Sequence, residues 1–243
     1  MERLEPLQSS PSFEMRVNRP ATLLREEVLS KLRQAIVNGH YRPGERLLER
    51  DLCEALGVSR TSVRESLRQL EIERLVTVGP RRGPQVAVIT EDSARQIYEL
   101  RVVLERAAVA HFIARATPSA FAELRAITEQ FRRASSPGEL ELRLQIKVRF
   151  YDVLFGSGDN EVMHAVFRQL FNRIGYLRSR SLEDPQNVER RASELDSIVD
   201  TLERRDVEAA QAAIEAHVRS LTDNAITRLR AEAADWQQAK PAG

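Results

Sequence analysis

Apolar residues recur at helical spacing through most of the chain, whereas strict alternation with polar residues occurs in one short region. Near the N-terminus, Val28, Leu32 and Ile36 fall on one stripe of a predicted helix that ends at Asn38-Gly39. A Pro43-Gly44 turn follows. The pattern therefore predicts that the chain begins its folded part with an amphipathic helix.

A tight turn separates two further predicted helices. The first is short, with Leu52 and Leu56 four positions apart, and Gly57 stands where a left-handed C-terminal cap is needed. Ser59 is placed to cap the second by accepting a hydrogen bond from a first-turn amide. The buried stripe of the second helix is Val63, Leu67 and Leu70. This arrangement is typical of a helix-turn-helix.

Two alternating segments, Leu75–Val78 and Gln85–Val88, follow and are joined by Gly79–Pro84. They predict a small β-hairpin, so residues 20–90 are predicted to form a winged helix-turn-helix. Arg81 and Arg82 lie between glycines at the tip of the hairpin, where missing side-chain bulk allows close approach to a DNA backbone. An ordinary solvated turn is the alternative.

Arg60, Thr61 and Arg64 point away from the apolar stripe of the second helix. The two arginines are one turn apart, and arginine can read guanine in the major groove through two hydrogen bonds. A solvated face, with Glu65 and Glu71 as partners for the arginines, is the alternative.

From about Ser93 onward the chain is predicted to be entirely helical. The predicted helices span about 92–116, 118–134, 138–156, 159–183, 187–204 and 206–235. The predicted fold class is mainly α, with an N-terminal winged helix-turn-helix and a C-terminal bundle of about six helices. The predicted divisions are a flexible tail at 1–19, the DNA-binding domain at 20–90, the helical domain at 91–236 and a C-terminal tail at 237–243.

Composition is ordinary for a two-domain globular protein of 243 residues with a net charge of +1. The first ninety residues carry fifteen Lys plus Arg and twelve Asp plus Glu, so basicity is modest and placed arginines must act individually. The single cysteine, Cys53, excludes an internal disulfide and favours a cytoplasmic location. Apolar runs are too short for a membrane helix, and the N-terminus lacks the apolar centre of a signal peptide.

The N-terminal pattern resembles the DNA-binding domain of GntR-family bacterial transcription regulators. The resemblance rests on Pro43–Leu47, Leu52–Thr61, Val63–Glu65, Leu75-Val76 and Arg81–Gly83. It implies Arg50, Arg60 and Arg64 as the main DNA contacts, assisted by Ser59, Thr61 and Ser62, with Gly83 at the wing. Ser62 stands where the family usually has proline, and Arg74 where it usually has glycine, so the helix end must close without that left-handed glycine.

The C-terminal half resembles the FCD ligand-binding domain of the FadR-like branch of this family. The resemblance rests on Glu99–Glu105, Arg149–Tyr151, Gly158–Asn160, Asp206–Ala210 and Ala216-His217. Many members hold a divalent metal with an aspartate and three histidines, and the metal helps to bind a carboxylate effector. At those positions this chain has Lys147, Tyr151, Leu195 and His217, so one of the four ligands is kept.

The departure predicts no metal and no cofactor, because an ammonium group repels a cation and one imidazole is too few donors. His164 and Asp152 are the alternative ligands, although the family pattern does not support them. We expect instead that Lys147 and Arg101 hold an anionic effector, such as a carboxylate, with Tyr151 and His217 as hydrogen-bonding groups. The alternatives are a helix-stabilising Arg101–Glu105 pair and a Lys147 side chain that reaches solvent.

Together these features predict a cytoplasmic homodimer that binds double-stranded DNA at a palindromic operator, with no membrane partner. The expected activity is repression that ends when the effector binds, although activation is also consistent with the sequence. A dimer without an effector is the first alternative. An enzyme in the helical domain is disfavoured, since paired catalytic carboxylates, a phosphate loop and a Ser-His-Asp set are missing from the pattern.

Overall fold

The N-terminal part of the chain folds as three helices and a two-stranded antiparallel sheet. The computed structural model describes residues 20–79 and 82–238, so the predicted tail at 1–19, residues 239–243 and Arg81 lie outside the described residues. The elements are α1 (Pro20–Val37), α2 (Glu49–Leu56), α3 (Arg60–Ile72), β1 (Val76–Gly79) and β2 (Gly83–Val86). Val63 and Leu70 are 0% exposed and Leu67 is 4% exposed, as the stripe predicts. The predicted winged helix-turn-helix is confirmed.

The hairpin differs from the prediction in its second strand, which begins two residues earlier. Val76 pairs with Val86 and Gly79 with Gly83, so the link between the strands is shorter than predicted. Gly83 has a φ of +68°, a conformation that glycine adopts without strain, and this lets the chain reverse early. Backbone pairing therefore includes Pro84, which the sequence placed in the loop.

Arg74 closes α3 in the left-handed conformation, with a φ of +61°. The amide of Leu75 donates to the Leu70 carbonyl at 2.9 Å, which is the closure that a glycine at position 74 would normally allow. The family glycine is absent but its backbone geometry is kept, at a cost of about 1 kcal/mol for a side chain with a Cβ atom.

The C-terminal part is all-helical, with seven α-helices and one short 3₁₀ helix, Pro137–Glu139, in the described residues. The α-helices are α4 (Glu91–Arg115), α5 (Pro118–Arg133), α6 (Leu140–Gly156), α7 (Glu161–Arg173), α8 (Gly175–Leu182), α9 (Pro185–Glu203) and α10 (Val207–Gln238). Their shared core contains Phe112, Phe131, Phe150, Phe155 and Phe167, each 0% exposed. Residues 237 and 238, predicted to lie in the C-terminal tail, belong to α10.

The predicted helix at 159–183 is wrong, because the chain breaks into α7 and α8 at Ile174. The break brings Gly175 against the end of α1. A Cβ atom on Gly175 would lie 2.5 Å from Val37 Cγ1 and 2.7 Å from the Val37 carbonyl oxygen. Tertiary packing therefore sets this helix boundary, and no proline or glycine pair in the sequence marks it.

Helix α8 also ties the two parts of the chain together by hydrogen bonds. Ser179 Oγ donates to the Asn38 carbonyl oxygen at 2.8 Å, directly after α1. Asn38 Nδ2 in turn donates to Glu141 of α6 at 2.9 Å. The end of α1 is thus fixed to the helical domain through backbone and side-chain contacts.

Candidate functional site

The turn between α2 and α3 is built as its sequence predicts. Gly57 ends α2 with a φ of +65° and ψ of 32°, a left-handed cap. Ser59 Oγ accepts a hydrogen bond from the Ser62 amide at 3.3 Å, which caps the first turn of α3. Ser62 Oγ lies 3.1 Å from Ser59 Oγ, so the residue that replaces the usual proline joins the cap. These contacts fix where α3 begins.

The first turn and a half of α3 presents its polar side chains to solvent. Arg60, Thr61 and Arg64 are all exposed, and Arg50 of α2 is 80% exposed at its side chain. The structure therefore brings the predicted DNA contacts of both helices to the surface. This exposed set at the N-terminus of α3, on a helix whose opposite side is buried, can enter a major groove.

Arg64 has a partner that the sequence did not indicate. Its Nε donates to both carboxylate oxygens of Glu49, at 2.9 and 2.8 Å. The proposed partner Glu65 instead lies 3.5 Å from Arg25 of α1. Glu49 sits on α2, fifteen residues before Arg64, a separation at which helical spacing gives no signal.

The wing places Arg82 at the surface, next to Gly83. The Arg82 carbonyl oxygen accepts a hydrogen bond from Arg46 Nε at 3.0 Å, which secures this side of the hairpin. Arg81, the other predicted wing residue, lies outside the described residues. The described part of the wing thus offers one arginine beside a glycine.

The four residues predicted to bind an effector come together inside the helical domain. Lys147 Nζ lies 3.3 Å from His217 Nε2, and an Arg101 terminal nitrogen donates to the Tyr151 hydroxyl at 3.0 Å. Lys147 Nζ is also 5.1 Å from the centre of the Tyr151 ring. All four side chains are at most 2% exposed, so Lys147 does not reach solvent. Helices α4, α6 and α10 converge to form this buried polar cluster.

The carboxylates of Glu105 and Glu194 contact residues of this cluster, and the sequence alone did not assign either of them to it. Arg101 donates from Nε to Glu105 Oε1 at 2.8 Å, and both side chains are almost fully buried. His217 Nδ1 lies 2.6 Å from Glu194 Oε2, which also accepts from Arg191 at 2.6 Å. The i, i+4 spacing of Arg101 and Glu105 was visible, but it did not reveal that this side of α4 is buried.

His217 is neutral at physiological pH in this setting. Burial lowers its pKa to about 3, helped by the charge of Lys147 and opposed by the hydrogen bond to Glu194. Burial raises the pKa of Glu194, but the contacts from His217 and Arg191 outweigh it and hold the value at about 2. Nδ1–H of His217 therefore donates to the Glu194 carboxylate, and its Nε2 lone pair accepts from Lys147.

A narrow cavity of about 20 Å³ adjoins the cluster. Its wall is formed by parts of α4, α6, α7, α8, α9 and α10, and it includes Arg101, Lys147 and Tyr151. Arg178 and Ser181 of α8 also line it, and both were missed because the helix boundary before them was misplaced. The space suits about one ordered water molecule, so a larger ligand enters only if lining side chains move.

The residues at the family's metal-ligand positions do not fit a metal ion. The lone pair of His217 Nε2 is directed at Lys147 Nζ. His217 is the one imidazole at these four positions, and the ammonium group beside it repels a cation. His164 and Asp152, the alternative ligands, lie 3.0 Å apart and pair with each other, and neither lines the cavity. Within residues 20–79 and 82–238, no three His, Cys, Asp or Glu side chains are grouped as such a site requires.

None of the described helices is both long and apolar enough to cross a membrane.

Comparison with known proteins agrees with both halves of the fold. Residues 24–86 match the bacterial regulatory proteins of the gntR family, and residues 96–220 match the FCD domain. The Nta operon transcriptional regulator of Aminobacter aminovorans is 31% identical over 201 residues, 80% of this chain and 90% of that protein. YdhC of Bacillus subtilis (strain 168), an uncharacterized HTH-type transcriptional regulator, is 26% identical over 189 residues, 77% of this chain and 84% of YdhC.

The structure of McbR/YncC from E. coli superposes with a TM-score of 0.75 at 24% identity, covering 86% of this chain and 98% of that one. At this identity the likeness shows a shared fold. The chain belongs to the GntR family of bacterial transcriptional regulators, with an N-terminal helix-turn-helix DNA-binding domain and a C-terminal FCD domain.

Proposed function

We propose that the protein is a homodimeric repressor that binds a palindromic operator and leaves it when a small anion enters the cavity of the FCD domain. The observation that carries this proposal is the position of α8. Arg178 and Ser181 of α8 line the cavity, while Gly175 and Ser179 contact the end of α1. One eight-residue helix therefore touches both the proposed effector site and the DNA-binding domain.

On the DNA side, Arg60 and Arg64 carry the proposed sequence recognition. Both are exposed near the N-terminus of α3, and a helix presents this end to base edges in the major groove. Arg50 is the third proposed main contact and Arg82 a proposed backbone contact at the wing, with Ser59, Thr61, Ser62 and Gly83 assisting. A dimer doubles this small set of arginines, which compensates for the modest basicity of the domain.

Dimerisation through α4 is supported by aliphatic side chains that the single chain leaves uncovered. Leu100 is 43% exposed and Val103 is 62% exposed, three positions apart on the same helix. A two-fold pair of such faces would bury them against each other and set the separation of the two α3 helices. Light scattering of the purified protein tests the dimer directly, and a monomer at micromolar concentration would contradict it.

Release follows if the anion favours an arrangement in which the two α3 helices no longer match the half-sites. A ligand that moves Arg178 or Ser181 shifts α8, and α8 holds α1 through Val37 and Asn38. The effector then changes the populations of two arrangements by its difference in affinity for them.

The test begins with genomic fragments captured by the purified protein, with the Arg60→Ala/Arg64→Ala variant as control. The expected result is one palindrome that the variant does not enrich. Fluorescence anisotropy on that palindrome then follows its release by compounds that raise the melting temperature of the free protein. A compound that stabilises the protein and leaves operator affinity unchanged would contradict the release mechanism.

A dimer without an effector is the second candidate, and the cavity volume of about 20 Å³ favours it. In that case no compound in a broad screen of organic acids raises the melting temperature, while the palindrome is still bound. The two candidates thus differ in the ligand screen and agree in the DNA capture.

A further inference from the structure

The cavity of the FCD domain has an unbalanced charge. Of the fourteen side chains that line it, four are basic, namely Arg101, Lys147, Arg178 and Arg191, and none is a carboxylate. These four are at most 7% exposed. Burying a charge without a counter-charge is costly, so each of them needs a partner or leaves a cost in the fold.

Two of the four cations are compensated from outside the cavity. Arg101 is paired with Glu105 at 2.7 Å, and Arg191 with Glu194 at 2.6 Å. Arg101 is also surrounded by aromatic rings, with its Cζ 5.3 to 5.7 Å from the four ring centres of Tyr98, Tyr151, Phe167 and Phe171. Each of these two arginines thus forms an ion pair with no net charge in the wall of the cavity.

Among the described residues, Lys147 makes no direct contact with a carboxylate, and Glu105 and Glu194 favour its charge only from a distance. Its close contact is His217 Nε2, and that imidazole is neutral because burial and the nearby charge of Lys147 lower its pKa, although its other nitrogen contacts Glu194. The carboxylate of Glu194 is already shared between His217 and Arg191, both of which approach the same oxygen at 2.6 Å. The ammonium group therefore has a hydrogen-bond acceptor, and in the part of the chain that the structure describes it is not paired directly with a carboxylate.

Arg178 is a second cation for which residues 20–79 and 82–238 supply no carboxylate partner. It donates one terminal nitrogen to the Phe171 carbonyl oxygen at 2.9 Å, and its Cζ lies 3.7 Å from the centre of the Phe171 ring. Both contacts are with neutral groups. Arg178 Nε and the nearby Ser181 Oγ are buried without a hydrogen-bond partner in the described residues. Two unsatisfied polar groups on α8 thus border the same cavity.

We propose that the cavity takes a compact ligand with two negative charges, which Lys147 and Arg178 neutralise while Ser181 donates a hydrogen bond. This inference rests on the proposed effector function and narrows its ligand from an anion to a dianion. A small dicarboxylate and a phosphate monoester both supply this chemistry. Because the cavity holds about 20 Å³ in this form, the ligand must displace lining side chains as it binds.

The first test needs no knowledge of the ligand. Lys147→Met replaces a buried cation that lacks a carboxylate partner with an apolar side chain of similar length. At pH 6.5 and without ligand, the melting temperature of this variant should exceed that of the wild type by at least about 2 to 4 °C. The matched control is Arg101→Met, which leaves Glu105 buried without its partner and should lower the melting temperature. A lower melting temperature for Lys147→Met would show that the existing contacts already stabilise the charge, and would overturn the proposal.

The second test compares pairs of compounds that differ by one charge, at constant ionic strength. Succinate is paired with succinamate, and methyl phosphate with dimethyl phosphate, and binding is measured by calorimetry on the full-length protein. We expect at least one dianion to bind about tenfold or more tightly than its monoanionic partner, and Lys147→Met and Arg178→Met each to remove this difference. The two pairs distinguish a dicarboxylate from a phosphate ester.

The outcomes separate this inference from the proposed function. If a monoanion or a neutral compound binds as tightly as its dianionic relative and releases the operator, the effector function stands and the dianion is wrong. If no compound of either charge binds and Lys147→Met also lowers the melting temperature, the charge argument and the effector function both fail.

Discussion

Two arginine–glutamate pairs of nearly equal length occupy opposite environments in this chain. Arg64 and Glu49 approach to 2.8 Å with 60% and 28% of their side chains exposed. Arg101 and Glu105 approach to 2.7 Å with 1% and 0% exposed. Water screens the first pair, so its arginine can exchange the glutamate for another anion at little cost. The second pair has no solvent to replace a lost partner.

The same contrast applies to cations without a carboxylate partner. An exposed arginine such as Arg60 is solvated and lowers the stability of the fold very little, so a DNA-binding surface can contain several exposed arginines. Lys147 and Arg178 are buried, and each adds a cost to the fold while it is charged, which a bound anion would reduce. This contrast underlies the proposal that the DNA-binding domain contacts a large polyanion at its surface and that the FCD domain encloses a small anion.

The largest expected effect on DNA binding comes from the Arg60→Ala/Arg64→Ala variant. Each arginine that contacts a guanine through two hydrogen bonds contributes about tenfold or more to discrimination, so operator affinity should fall by about a hundredfold or more. The melting temperature should stay near that of the wild type, because both side chains are exposed. Fluorescence anisotropy and thermal melting check the two halves of this prediction.

The matched control removes two exposed arginines elsewhere. Arg133 and Arg219 are 81% and 72% exposed on α5 and α10, and replacing both with alanine changes the net charge by the same amount. Operator affinity that falls equally in both double variants would mean that overall charge, rather than the position on α3, governs binding.

A buried arginine should show the opposite behaviour. Arg101→Met leaves the Glu105 carboxylate enclosed and unpaired, so the free energy of unfolding should fall by about 3 to 5 kcal/mol. Adding Glu105→Leu removes the stranded charge and should restore a large part of the loss. Urea unfolding of the two variants measures both steps, and a double variant less stable than the single one would show that the pair is needed for packing rather than for charge.

The buried lysine predicts how stability depends on pH. Burial lowers the pKa of Lys147 from its ordinary 10.5 to about 7, and the charges of Arg101 and Arg191 add to this. Between these values the unfolded chain holds a proton that the folded chain has lost, so stability should rise as the pH increases from about 7 to 10. The charged or titratable groups around Lys147 are Arg101, Glu105, Tyr151, Arg178, Arg191, Glu194 and His217.

The measurement is the difference in unfolding free energy between the wild type and Lys147→Met over this pH range. Subtraction cancels groups that titrate alike in both proteins, such as Arg178, whose pKa burial lowers to about 9. As the pH rises, the unfolding free energy of the wild type should increase steadily relative to that of Lys147→Met. Parallel curves would show that Lys147 keeps its proton and that its burial is better compensated than its contacts indicate.

The comparison also explains what the sequence could predict. The helix-turn-helix depends on local signals, since Gly57, Ser59 and the stripe of Val63 and Leu67 act within a few residues of one another. The second strand of the wing was predicted to begin at Gln85, two residues too late, because Gly83 reverses the chain earlier than alternation alone indicates. Elements set by neighbouring residues were thus predictable to within a few positions.

The cavity depends on contacts distant in sequence, and less of it could be predicted. Lys147 and His217 were joined through a family pattern, whereas Arg191 and Glu194 gave no local signal of their position beside them. The break before Gly175 arises from contact with Val37, which lies far away in the chain. Arg178 could not be placed without that break.

The smallest expected effect concerns the exposed pair, through Glu49→Gln. Glu49 accepts from Arg64 Nε, and among the described residues the terminal nitrogens of this guanidinium make no hydrogen bond, so they can face a base. Losing the charge of a solvent-screened pair should leave the melting temperature within about 2 °C of the wild type, far from the effect of Arg101→Met.

The Glu49→Gln variant should nevertheless differ from the wild type in how well it discriminates between DNA sequences. Affinity for unrelated DNA should rise slightly because one negative charge is gone, and discrimination against an operator with its contacted guanine replaced should weaken because Arg64 is held less firmly. Anisotropy titrations with the two DNAs measure this, with Glu49→Asp as the variant that keeps the charge. An equal gain in affinity for both DNAs would show that Glu49 competes with DNA for Arg64 and does not position it. The exposed pair would then weaken binding to any DNA, whatever its sequence.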